Sequence, residues 1–332
     1  MNIAINGFGR IGRTFLRTAL ERGLRVVAIN DLTAAATLAH LFKYDSVHGG
    51  FKGDVKADDT HLYIDGQAIL VTAEADPARL PWAALHIDLV VEATGKFTNM
   101  AGASRHLEAG AKQVLISAPA DKQIPMVVMG VNDHTIDLLS PVLSNASCTT
   151  NNVAPLIKVL DDNWGVNEGY ITTVHSMTGD QNLHDAPHKD LRRARAASSS
   201  IIPTTTGAAK AITQIFPHLD GKLGGAGIRV PVLNGSLTDF TCTLARPASI
   251  DSINAAFKKE AAGALAKIVE YTEDPIVSVD IINNTHSCIF DAALTSVVGD
   301  LVKVVGWYDN ESGYSNRLVD VVEQMNILRE NG

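Results

Sequence analysis

The chain of 332 residues predicts an α/β protein: a doubly wound parallel sheet, then a second, α+β half carrying a mainly antiparallel sheet. Three observations carry this. Apolar strand-like runs alternate with amphipathic helical stretches through roughly the first 145 residues, the pattern of parallel strands joined by crossover helices. The first strand-to-helix turn is glycine-rich, Gly7-Phe8-Gly9-Arg10-Ile11-Gly12. Past Cys148 the alternation stops, and strands follow each other with fewer helices between, which favours antiparallel pairing.

The elements follow in order. Asn2 to Asn6 reads as a buried strand, and a helix runs on from the glycine turn to about Glu21, with Phe15, Leu16, Ala19 and Leu20 on one face. Arg25 to Ile29 is a second strand, ending at Asn30-Asp31, and Ala34 to Phe42 is helix-like. His61 to Thr72 reads as a hairpin turning at Asp65-Gly66. Asp88 to Glu92, a helix from Met100 to Ala109 and Gln113 to Ser117 complete another strand–helix–strand unit. Pro141-Val142-Leu143 leads as a strand into the segment Ser144 to Asn151.

In the second half a helix over Asn152 to Asp162 precedes a strand over Glu168 to His175. The stretch from Ser176 to Ile202 has little periodicity, and so long a loop inside a domain is usually functional or at an interface. Arg229 to Val232, Ser236 to Leu244 and Ile289 to Asp291 read as strands, and Ile250 to Glu260 and Ser315 to Leu328 as helices.

Composition bounds the function. Apolar residues make up 46% and charged residues 19%, an ordinary globular balance, and the length suits two domains. A net charge of −8 argues against general nucleic-acid or anionic-membrane binding, though not against a local basic pocket. No apolar stretch is long enough to span a bilayer, and no secretory signal is visible at the N-terminus. Cys148, Cys242 and Cys288 are too few and too widely spaced for a disulfide framework or a metal site, so a reducing cytoplasm is expected.

The chemistry starts at two places. In Gly7-x-Gly9-x-x-Gly12 the first glycine permits a tight turn, the second lets backbone approach a pyrophosphate, and the third allows close helix–strand packing. Asp31, about 20 residues on at the end of the second strand, fits the acid that binds a ribose 2′-hydroxyl. Together they describe a Rossmann-type dinucleotide site, and the carboxylate should repel a 2′-phosphate, favouring NAD over NADP. The bland alternative is a helix-capping Asp with turn glycines.

Cys148 lies among small polar residues near the start of a helix, where orphan N–H groups and the helix dipole favour a thiolate. His175, closing an apolar strand, could take the thiol proton, or could be a satisfied polar residue at a strand end. Thr204 to Lys210 runs into a helix whose start could hold a phosphate or could be an ordinary N-cap. Arg193 and Arg229 could add charge-assisted contacts to such an anion, or serve solubility.

Taken together these residues closely resemble the phosphorylating glyceraldehyde-3-phosphate dehydrogenases, over essentially the whole chain. The matches include Ile5 to Arg13, Ser144 to Asn151, Thr178-Gly179-Asp180, Asp190 to Arg195, Pro203 to Gly207 and Trp307 to Glu311. The resemblance implies an NAD-binding domain over 1–147, a catalytic domain over 148–313 and a final helix, 314–332, packing back on the first. It implies that Cys148 attacks the aldehyde of glyceraldehyde 3-phosphate, that His175 assists proton transfer, and that hydride passes to NAD. Inorganic phosphate then opens the Cys148 thioester to release 1,3-bisphosphoglycerate. Thr178, Asp180, Arg193 and Arg229 match one anion position, and Ser147, Thr149, Thr206 and Gly207 the other. Asp180, being acidic, is expected to orient an arginine. Gly7, Gly9, Arg10, Ile11, Gly12, Asp31, Thr94, Ser117 and Asn310 match cofactor contacts, Asn310 the one holding the nicotinamide carboxamide. The loop from Ser176 to Ile202 matches one lining a neighbouring subunit's NAD site, so a homotetramer is expected.

The chain also departs from the family pattern. Asn152 stands where many members have a second cysteine, Ala75 where many carry Lys or Arg near the adenine, and Ser312 where Trp is common. Ala186-Pro187 keeps the proline of NAD-specific bacterial members beside a small residue, so NAD preference with some NADP use is expected. Three rivals stay open: an erythrose-4-phosphate dehydrogenase, a non-catalytic binding protein on the same fold, and a cofactor-free cysteine hydrolase.

Overall fold

A computed structural model describes residues 1–331 and resolves two compact units. Of the described residues, one comprises 1–127, 134–146 and 315–331, the other 128–133 and 147–314.

The first unit opens with β1 (Ile3–Asn6), α1 (Arg10–Glu21), β2 (Val26–Asn30) and α2 (Ala35–Lys43). Then come β3 (Val55–Ala57), β4 (His61–Ile64), β5 (Gln67–Thr72), β6 (Leu89–Glu92), α3 (Met100–Glu108), β7 (Gln113–Ile116) and β8 (Val142–Ser144). They form one eight-stranded sheet in the order β3-β4-β5-β2-β1-β6-β7-β8. Pairing is parallel from β5 across to β8 and antiparallel at β3/β4 and β4/β5. Every residue of β1, β6 and β7 is buried, as strands covered on both faces require. The strand β3 escapes the sequence reading because three residues carry too little pattern.

The second unit holds α4 (Cys148–Trp164), β9 (Val166–Ser176), β10 (Ile202–Thr204), α5 (Ala208–Ile215), β11 (Leu223–Val230), β12 (Ser236–Leu244) and α6 (Ile250–Ala261). It continues with β13 (Val269–Thr272), β14 (Cys288–Asp291), β15 (Ser296–Val298) and β16 (Leu301–Tyr308). The sheet order is β10-β11-β9-β12-β16-β14-β13, with β15 also on β16. Most pairs are antiparallel, but β9/β11 and β13/β14 are parallel. The last helix, α7 (Ser312–Asn331), belongs to the first unit from Ser315 on. There Arg22 pairs with Asp320 at 2.5 Å and with Glu323.

Two expected boundaries move furthest. The helix expected from Asn152 begins at Cys148, because Ser147 caps it with a side-chain oxygen accepting from Thr150 N–H. The strand expected over Arg229 to Val232 is β11, which starts at Leu223 and ends at Val230. Among the described residues no helix is long and apolar enough to cross a membrane.

Candidate active site

In the first unit, a cleft of about 320 Å³ opens at the carboxyl ends of the parallel strands. Gly7, Gly9, Asp31 and Thr94 line it, with Asn6, Asn30, Glu74, Ala75 and Lys96. Gly7 has a φ of +93°, and a Cβ there would stand 2.7 Å from Thr94 N; a Cβ on Gly12 would stand 2.2 Å from Gly7 O. Gly9 is different, since a Cβ on it would meet nothing within 4 Å of the chain. It is the N-cap of α1 and brings no side-chain cap. A helix start without a side-chain cap, facing a cleft and approached only by a glycine, fits a pyrophosphate.

Asp31 is held at the cleft edge: Oδ2 accepts from Phe8 N–H at 2.9 Å and Oδ1 from Thr33 N–H at 2.9 Å. Its carboxylate therefore also ties the glycine turn to β2. Arg10 makes a two-pronged pair with Asp45 at 2.5 and 3.1 Å, which with two backbone N–H groups holds that carboxyl well below the usual range despite its burial. Ile11 sits on the first turn of α1, and Ser117 follows β7.

Beneath the cleft lies a buried polar cluster that the sequence reading does not single out. Glu92 accepts from Asn6 Nδ2 at 2.6 Å, from Thr94 N–H at 2.8 Å and from the Thr94 hydroxyl, and lies 3.0 Å from His106 Nε2. Trp82 Nε1–H can only donate, and it donates to His106 Nδ1 at 3.0 Å. Nδ1 therefore accepts, and the ring turns Nε2 toward Glu92. Asn6 and Thr94, two cleft-lining residues, are thereby fixed from below. The sequence signal was a glutamate ending an otherwise apolar strand.

In the second unit Cys148 is the first residue of α4 and is half-buried. The chain enters it through Ala146, a non-glycine residue at φ +55°, so the turn carries backbone strain beside the thiol. α4 packs on β9, β12, β14 and β16, and Cys148 Sγ comes 3.4 Å from His175 Nε2. The sequence alone could not bring these residues together.

Strand register explains His175's other neighbour. β9 and β11 are parallel, with His175 opposite Arg229. The Ser176 carbonyl, which can only accept, lies 2.8 Å from His175 Nδ1 and 3.0 Å from Arg229 Nη1. The carbonyl favours the imidazole proton on Nδ1 and the lone pair of Nε2 toward the thiol. Arg229 Nη1, which can only donate, is also 2.8 Å from Nδ1 and competes with that proton for the site. Burial first, and then this guanidinium charge, push His175 down to about 3. Burial pushes the Cys148 thiol up, against the pull of Arg229 and the nearby N–H groups. Burial thus opposes the thiolate that the helix N-terminus favours, and it opposes an imidazolium at His175 as well.

The anion residues fall into separate groups. Asp180 accepts from Arg193 Nη1 at 2.7 Å and from the Thr178 hydroxyl. Burial opposes its ionisation, but the Thr178 bond and the charges of Arg229 and Arg193 hold its carboxyl below the usual range. Arg193 Nε also donates to Thr204 Oγ1 at 3.0 Å. Ser147 Oγ is spent on capping α4, and Thr149 Oγ1 meets the Tyr308 hydroxyl at 2.9 Å. Thr206 Oγ1 accepts from Ala208 N–H at 3.2 Å, where Gly207 starts α5, and no hydrogen bond joins this turn to Cys148.

Asn310 is buried, and its Oδ1 accepts from the Ser176 and Ser236 hydroxyls, both at 2.9 Å, and from Gly235 N–H at 3.2 Å. Tyr308 is the other residue the sequence reading missed as part of the centre. Its hydroxyl joins Thr149 and Thr173, each at 2.9 Å, and its ring meets His175 edge-on at 6.0 Å. The signal was the run Leu301 to Tyr308, which is β16.

Comparison with known proteins covers nearly the whole length. The family model described as the NAD binding domain of glyceraldehyde 3-phosphate dehydrogenase matches residues 1–100, and that of its C-terminal domain matches 147–310. A glyceraldehyde-3-phosphate dehydrogenase of Mycobacterium avium is 54% identical over 330 residues, covering 97% of each chain. The corresponding protein of Kitasatospora aureofaciens is 54% identical over 324 residues, covering 97% of this chain and 98% of its own. Glyceraldehyde-3-phosphate dehydrogenase 2 of Streptomyces avermitilis is 52% identical over 325 residues, covering 97% of each.

Proposed function

Because the chain belongs to the glyceraldehyde-3-phosphate dehydrogenase family, we propose that it carries out the NAD-dependent oxidative phosphorylation of D-glyceraldehyde 3-phosphate through a thioester on Cys148. The observation that carries this reading is the 3.4 Å approach of Cys148 Sγ to Nε2 of His175. The thiol adds to the aldehyde carbon, its proton goes to Nε2, and the oxygen that becomes anionic lies within reach of N–H groups at the start of α4. NAD, when bound, supplies the hydride acceptor. Loss of hydride from the thiohemiacetal carbon leaves an acyl thioester on Cys148. Inorganic phosphate attacks that carbonyl, the acyl phosphate leaves, and Cys148 recovers its proton from His175.

The arginines make the chemistry dependent on substrate. Arg229 and Arg193, the latter oriented by Asp180 and assisted by Thr178, take one phosphate; Ser147, Thr149, Thr206 and Gly207 take the other. A phosphate on Arg229 offsets the charge that holds His175 down, so substrate strengthens the base that it needs. Gly7, Gly9, Arg10, Ile11, Gly12, Asp31, Thr94 and Ser117 hold the dinucleotide, and the Asn310 amide holds the nicotinamide carboxamide.

A homotetramer and a cytoplasmic location complete the reading. The segment 177–201 exposes Leu183, Leu191 and Ile201, which suits a subunit interface, and the three cysteines are free. The decisive assay follows NADH formation from glyceraldehyde 3-phosphate with and without inorganic phosphate, on the wild type and Cys148→Ser. Turnover should require phosphate, and Cys148→Ser should lose at least about a thousandfold. Sustained wild-type turnover without phosphate would refute the mechanism.

A further inference from the structure

The Asn310 side chain has its amide oxygen gripped on three sides at the reacting end of the second unit. One donor is the Gly235 backbone N–H, which cannot accept, so the face of the amide that points inward is the oxygen. The Ser236 hydroxyl oxygen accepts from Ser176 N–H at 3.1 Å, which leaves its hydrogen for Asn310. Ser176 and Ser236 are themselves fully buried. The Asn310 Nδ2 group makes no hydrogen bond to the described residues, while its oxygen makes three. An amide left to itself turns over readily, exchanging a donor for an acceptor of nearly the same shape.

We infer that Ser176 and Ser236 are positioning residues that lock the Asn310 amide with its N–H₂ toward the ligand. The inference rests on the reading that Asn310 holds the nicotinamide carboxamide. The locked amide donates, and so recognises the carbonyl oxygen of that group rather than its N–H₂. Ser176 does this while its own carbonyl lies 2.8 Å from His175 Nδ1. One residue thus aligns the imidazole beside the thiol and the donor for the nicotinamide substituent. Small, buried serines inside strand ends carry no sequence signal of such a role.

The test measures dissociation constants by titration for NAD and for its 3-acetylpyridine analogue, whose ring substituent offers only an acceptor. The full-length chain is used as wild type, Ser236→Ala, Ser176→Ala/Ser236→Ala and Asn310→Asp. Wild type should bind the two dinucleotides with similar affinity. In the double variant only the Gly235 N–H still holds the oxygen inward, so the amide turns over part of the time and presents its oxygen, which NAD can still satisfy with its N–H₂ but the analogue cannot. The analogue should therefore weaken about two- to threefold, and NAD by clearly less, a split that general loosening of the site would not produce. Ser236→Ala alone should show a smaller split, which keeps the test available if the double variant folds poorly. Asn310→Asp, which has no donor, should weaken both. If Asn310→Asp binds both as the wild type does, the nicotinamide reading falls. If Asn310→Asp weakens both but neither serine variant separates the two dinucleotides, the lock falls and the reading stands.

Discussion

His175 is uncharged in the folded protein because it is buried and because Arg229 stands opposite it on the neighbouring strand. Its folded value, about 3, lies below that of an exposed histidine. The sign follows: the unfolded chain binds the proton that the native ring refuses. Native stability from this site is therefore full above about pH 6.5 and is lost as pH falls toward 3. His175→Asn should remove that loss. Between pH 4 and 6 the wild type's unfolding free energy should fall up to ~1.4 kcal/mol per pH unit more steeply than the variant's. Urea titrations at three pH values check this, and equal slopes would show that His175 is not held neutral. The same variant should lower kcat by about 10²–10⁴, since the thiol loses its proton acceptor. The residues themselves were legible: a lone cysteine in a run of small polar residues and a histidine ending an apolar strand. Their electrostatics were not, because burial, which decides the resting protonation, is a property of the packed α4 and β9 and not of local sequence.

Among the elements, the glycine turn into α1 separates two kinds of glycine that the motif writes alike. A methyl group at Gly12 would overlap the carbonyl of Gly7, whereas at Gly9 it would meet only open cleft. Gly12→Ala should destabilise the fold by about 1–3 kcal/mol, the usual cost of overpacking. Gly9→Ala should leave the melting temperature within a degree or two, yet weaken NAD by tenfold or more by blocking the approach of the pyrophosphate. Thermal melts beside NAD titrations test the pair, and a Gly9→Ala protein that binds NAD normally would remove the pyrophosphate from that turn. The alternation of β1 through β7 with helices was readable because both periods are strong there. β11 was only half readable, because Leu223 to Val230 holds three glycines, residues that disfavour strands. Tertiary packing explains them: a Cβ on Gly224 would stand 2.6 Å from the Tyr170 ring on β9. The strand exists because β9 and β10 flank it on both sides. The early start of α4 was hidden by Thr149, Thr150, Asn151 and Asn152, poor helix formers whose cost is met by the Ser147 cap and by complete burial.

For the molecule as a whole, the segment 177–201 is the part least explained by a single chain. It contains no strand or helix, yet it is ordered by its own bonds. Arg195 pairs with Asp185 at 2.9 Å, Ala197 N–H donates to the Asn182 carbonyl at 3.0 Å, and Asn182 Nδ2 donates to the Ala186 carbonyl at 2.9 Å. A segment so tied should be able to bury its leucines inward. Instead Leu191 is 81% exposed and Leu183 73%, with Ile201 at 71% beside it. Each such side chain would contribute about 1.5–3 kcal/mol if covered, which favours a second copy of the chain as the cover. Leu191→Glu should therefore shift sedimentation from the proposed tetramer toward smaller species while leaving the circular dichroism of each subunit unchanged. If this segment also lines a neighbour's NAD site, the KM for NAD should rise as the tetramer dissociates, and it should recover at protein concentrations where sedimentation shows reassembly. A Leu191→Glu protein that sediments as the wild type does, or a wild type that sediments as a monomer, would assign these leucines to some other role. A dissociated form with an unchanged KM for NAD would keep the interface and remove its share in the cofactor site.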